Sequence, residues 1–86
     1  MTGASQATKL TLISRRYCHL CAEMEAALAP LLAEFGVALE VLDVDADPAL
    51  EVLYDELVPV LLHNRRELCH YFLDESKVRD YLSEIR

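Results

Sequence analysis

A chain of 86 residues, 53% of them hydrophobic, is long enough for one domain with a real core and excludes a linker or low-complexity segment. A formal net charge of −7, from fifteen acidic and eight basic residues, excludes nucleic acid and anionic membranes as partners, since both need a positive field. No apolar run reaches the length of a membrane span.

Residues 1–8, MTGASQAT, have neither the basic nor the apolar stretch of a signal peptide and read as a flexible tail, leaving 9–86 as the domain. Residues 9–14, KLTLIS, are expected to form a strand buried on both faces. After the loop Arg15–Tyr17 the period changes. Leu20, Met24, Ala27, Leu28, Leu31 and Phe35 recur at helical spacing, which predicts a helix from Cys18 to Phe35. Glu23 and Glu25 are expected to suit the positive end of its dipole. Pro30 removes the bond to the Ala26 carbonyl and is expected to kink or break the helix. Gly36 is a natural stop.

Residues 37–45 predict a second strand, mostly apolar and so largely covered. Asp47 followed by Pro48 predicts a capped helix start, with Leu50, Leu53, Tyr54 and Leu57 as its apolar face. Residues 58–63 read as a third strand opened by Pro59, 64–67 as a polar turn, and 68–72 as a fourth, antiparallel strand. Asp74 is expected to cap a last helix carrying Val78, Leu82 and Ile85 on one face, with Tyr81 beside them. The order is β-α-β-α-β-β-α. The first two strands should be parallel with a right-handed crossover, which gives an α/β fold with a four-stranded mixed sheet flanked by helices.

The three cysteines are Cys18, Cys21 and Cys69. An odd number argues against a secreted disulfide framework and points to a reducing cytoplasm. There, a close pair serves catalysis or metal binding. Cys18 falls at a helix N-terminus, where free N–H groups stabilise a thiolate. Arg15, Arg16 and His19 are expected to push the same way. Cys18 is therefore the expected attacking thiolate, and Cys21, one turn deeper, the resolving thiol. Tyr17 either shields the pair or contacts a substrate chain. A Cys₃His zinc site from Cys18, Cys21, Cys69 and His70 is a rival reading. Against it, Cys69 and His70 are adjacent in a strand and point to opposite faces. Cys69 alone reads as a small buried hydrophobe, and Asp43 and Asp45 as a strand-end polar cluster.

The strand LTLIS, the motif CHLC opening a helix, and the Val58–Pro59 pair opening the third strand together resemble the thioredoxin fold, and most closely its glutaredoxin-like branch. The resemblance covers the chain after the tail. It implies a cis bond at Val58–Pro59, packed beside the cysteine pair. It also implies that Arg15, three residues before Cys18, helps to bind glutathione, with the Val58 backbone pairing to the glutathione cysteine and Tyr17 and His19 bordering the substrate. The Gly-Gly pair that usually follows the fourth strand is absent, CHYFLD standing there instead. The implied activity is thiol–disulfide exchange by a monomer in cell redox homeostasis. Protein disulfides or glutathione-mixed disulfides are the implied substrates, with no bound cofactor or metal and glutathione as a reductant. The alternatives are a non-catalytic binding module, or a metal or iron–sulfur protein using the same cysteines.

Overall fold

In the computed structural model, which describes residues 8–85, the chain alternates strand and helix through its first half. Strand β1 (Lys9–Ser14) leads into helix α1 (His19–Phe35), then strand β2 (Ala38–Asp43), a 3₁₀ turn (Val44–Ala46) and the short helix α2 (Pro48–Tyr54). A hairpin of β3 (Val60–His63) and β4 (Arg66–His70) precedes helix α3 (Glu75–Ile85). The sheet order is β2-β1-β3-β4, with β1 parallel to β2 and antiparallel to β3. The expected α/β architecture is present.

β1 lies inside the sheet and explains its own sequence. Leu10 and Leu12 point to one face and are fully buried with Met24, Leu28 and Leu31 of α1 and Val78 and Leu82 of α3. Ile13 points to the other face and packs with Val44, Val60 and Leu62 under Leu50, Tyr54 and Leu57. Fully burying one such side chain contributes about 1.5–3 kcal/mol, so these two clusters hold α1, α3 and α2 to the sheet. The hairpin turns through Asn64 and Arg65, both at positive φ (51° and 70°), as a two-residue turn between right-twisted strands requires.

Several expectations are corrected. Pro30 does not break α1, which runs unbroken to Phe35. Pro30 and Ala26 both lie on the exposed face, so water can satisfy the carbonyl that proline leaves unbonded. Glu23 and Glu25 lie beyond the first turn, which holds no acidic residue. The second strand is shorter than predicted and not covered, because it is the sheet edge; Glu40 and Val41 are exposed, and only the flanking Val37 and Val44 are buried. Leu53 on α2 and Ile85 on α3 are likewise exposed. The fourth strand sits two residues earlier than expected, and Tyr71 and Phe72 lie beyond it. Of the predicted tail, Thr8 is tied to the sheet edge, its carbonyl accepting from the Ala38 amide at 3.0 Å. Residues 1–7 lie outside the described residues, as does Arg86.

Gly36 ends α1 in the left-handed region (φ 65°, ψ 42°), and the Val37 amide donates back to the Leu32 carbonyl at 2.9 Å. A Cβ there would meet no atom within 4 Å, so the cost of a side chain is conformational only. Gly36→Ala is expected to lower unfolding stability by about 1 kcal/mol, and Gly36→Asn by less, read from denaturant midpoints at unchanged slope.

Candidate functional site

Four chain segments meet at one end of the sheet. β1 and β2 finish there, β3 begins there, and β4 ends there. The loop Arg15–Cys18 carries the chain from β1 into α1. Tyr17 makes the turn at φ 58°, a conformation that costs a bulky residue about 1–3 kcal/mol, and its ring is fully exposed.

Cys18 is the N-cap of α1, with extended backbone (φ −95°, ψ 114°). Its carbonyl accepts the first intrahelical bond, from the Ala22 amide at 3.1 Å. Its sulfur accepts a hydrogen bond from the Cys21 amide, also at 3.1 Å. The spacing does two things at once. Cys21 is the third helical residue, so its N–H is the donor that an N-cap side chain reaches, and its own sulfur lies within bonding reach of Cys18. The two cysteines are joined as a disulfide, with Cα atoms 5.2 Å apart. Cys18 is half-buried, whereas Cys21 is only 2% exposed. An incoming sulfur therefore reaches Cys18 first.

An open cavity of about 540 Å³ borders both cysteines together with Ser14, Arg15, Tyr17, His19 and Glu25. Two of the three basic residues expected to favour a thiolate have acidic partners. The Arg15 guanidinium donates to both carboxylate oxygens of Asp45, at 2.9 and 3.0 Å, and to the Asp55 carboxylate. These partners, Asp45 foremost, hold it still more firmly protonated than an ordinary arginine. His19 Nε2 lies 3.0 Å from Glu23. Besides the exposed Arg16, what remains to stabilise a Cys18 thiolate is the helix terminus and the Cys21 N–H.

Val58 and Pro59 lie at the end of β1, one strand across, because Ile13 pairs with Val60. Their peptide bond is cis, Pro59 is buried and Val58 half-buried; neither lines the cysteine cavity. Tyr71 brackets this segment. Its amide donates to the Pro59 carbonyl at 2.9 Å and its hydroxyl to the Glu56 carbonyl at 2.7 Å. Tyr71 does so at φ 65°, where glycine would sit without strain.

Cys69 stands apart from the pair. It packs against the α1/α3 core, while the neighbouring His70 is exposed and pairs with Glu67. Among the described residues, the group whose donor atoms converge closely enough for a cation is Asp45, Glu51 and Asp55, and Arg15 already bonds two of these. Sequence reasoning missed Asp45 and Asp55 as partners of Arg15, thirty and forty residues away, because no local pattern links them. It also missed Tyr71, whose positive φ has no signature in a tyrosine, and the place of Glu25 on the cavity wall.

A family described as "Glutaredoxin-like domain (DUF836)" matches residues 9–83. The solution structure of protein Ne2328 from Nitrosomonas europaea is 41% identical, with a TM-score of 0.80 over 94% of this chain and 98% of that one. The X-ray structure of protein XcR50 from X. campestris is 38% identical, with a TM-score of 0.71 over 87% of this chain and 96% of that one. A thioredoxin from Fasciola hepatica, 17% identical, shares the fold with a TM-score of 0.63 over 94% of this chain and 83% of that one.

Burial is the main cause that raises the Cys69 thiol above its ordinary range, which lowers its thiolate fraction near neutral pH. In reduced protein, iodoacetamide is expected to label Cys18 first, at least about tenfold faster than Cys69. Time-resolved peptide mapping checks the order; labelling of Cys69 at the rate of Cys18 would contradict it.

Proposed function

The chain belongs to the glutaredoxin-like domain family (DUF836), and from that premise we propose that it is a thiol–disulfide oxidoreductase acting through Cys18 and Cys21. The observation that carries the reading is the pair's placement: an accessible sulfur capping a helix, with a buried partner sulfur in bonding reach.

The Cys18 thiolate attacks one sulfur of a substrate disulfide. That S–S bond breaks, and the departing thiolate takes a proton from water. Cys21 then gives up its proton and attacks the Cys18 sulfur. The mixed disulfide breaks, the second substrate thiol leaves, and the Cys18–Cys21 disulfide forms. Two electrons pass from the dithiol to the substrate. A thiol reductant, glutathione or the dithiol of a reductase, restores the pair. Tyr17, His19 and Arg15 frame the entry, and the half-buried Val58 offers its backbone to a bound chain. The protein works as a monomer in the reducing cytoplasm, where a dithiol form is maintained. No helix among the described residues is long and apolar enough to cross a membrane.

Equilibration of metal-free protein in glutathione redox buffers, read by intact mass and peptide mapping, is expected to give a reversible Cys18–Cys21 disulfide. Cys21→Ser is expected to hold a mixed disulfide on Cys18, and Cys18→Ser to lose exchange activity by a factor on the order of a hundred or more. Thiols that stay unreactive across the whole range would overturn the reading and turn attention to metal content.

A further inference from the structure

Two of the three basic side chains beside the dithiol are engaged within the molecule. Arg15 is held by Asp45 and Asp55, and His19 by Glu23. Arg16 forms no ion pair among the described residues, but it does not line the cysteine cavity; it borders an adjoining one that shares Ser14 and Arg15 with it and reaches Val41 and Asp43 on the β2 side. Glu25, by contrast, lines the same cavity as both cysteines, is exposed, and has no ion-pair partner among the described residues. Among the residues that line the cysteine cavity, the uncompensated charge is therefore negative, on a chain whose net charge is −7. Next to it stands the exposed ring of Tyr17, a rigid amphipathic surface of the kind that polypeptide contacts use.

We propose that the site takes disulfides carried on polypeptides with basic residues beside the reacting cysteine, and that Glu25 is the residue that reads that charge. The inference rests on the oxidoreductase reading above and narrows its substrate. A glutathionyl group carries two carboxylates and one ammonium. It meets Glu25 in this cavity while the Arg15 guanidinium is already bonded to two aspartates. A cation-flanked peptide meets an opposite charge, which favours encounter and orients the disulfide. Arg15 is then a positioning residue, tying the cysteine loop to the 3₁₀ turn through Asp45 and to the end of α2 through Asp55.

Single-turnover oxidation of fully reduced protein tests this without a competing reductant. Three substrates are compared: a peptide disulfide flanked by lysines, the same peptide flanked by glutamates, and oxidised glutathione. Acid quenching and intact mass follow formation of the Cys18–Cys21 disulfide. The lysine peptide is expected to react about tenfold faster than either of the others at low salt, and the gap to narrow as salt is added. Glu25→Gln should shrink the ratio between substrates and Glu25→Lys should remove or invert it. The ratio is the readout, because a charge change near Cys18 alters reactivity toward every disulfide. Equal rates for the three substrates, or a lysine preference that survives Glu25→Lys, would overturn the inference. If no substrate oxidises the pair, the oxidoreductase reading fails first and takes the inference with it.

Discussion

The hydrogen bond from the Cys21 amide to the Cys18 sulfur is the contact around which the site is organised. It makes Cys18 at once the last residue of the loop and the cap of α1. A sulfur in that place satisfies one of the helix's unpaired amides and sits at the positive end of its dipole. The helix can supply this only if its axis is fixed against the sheet. Met24, Leu28 and Leu31 do that, lying against Leu10 and Leu12 of β1, the strand that delivers the loop. One pair of elements thus both presents the first sulfur and buries the second.

Charge around the pair follows a different logic from the one its neighbours suggest. Arg15, Arg16 and His19 look like a basic patch when read as a string. In the fold, Arg15 turns to Asp45 and Asp55, and His19 to Glu23, which leaves Arg16 as the member of the string without an ion pair among the described residues. Exposed ion pairs of this kind add little stability. The Arg15 network matters instead as a tie between segments that are far apart in sequence. The thiolate then depends on the helix terminus more than on Arg15 or His19.

The sequence made much of this legible, for physical reasons that can be named. The three-and-four spacing from Leu20 to Phe35, the Asp47–Pro48 start and the stop at Gly36 are local signals, and each element formed where they stand. So did the asymmetry between the cysteines, which follows from depth along one helix turn. Strand coverage was not legible, because β2 reads as apolar whether it lies at the edge or inside, and only pairing decides that. Pro30 leaves α1 unbroken because the carbonyl it frees lies on the exposed face. The Asp45 and Asp55 contacts to Arg15, and the bracket that Tyr71 places on Val58–Pro59, depend on tertiary folding and leave no local trace.

The most direct measurement is a pH titration of the thiolate absorbance of Cys18 in reduced Cys69→Ser protein, with Cys21→Ser as the companion that isolates one sulfur. A sulfur stabilised as the cap of α1 predicts a midpoint below about 7.5, inside the range of cysteines at helix N-termini. A midpoint above that, toward the roughly 8.5 of a free thiol, would contradict the claim that the helix terminus activates Cys18.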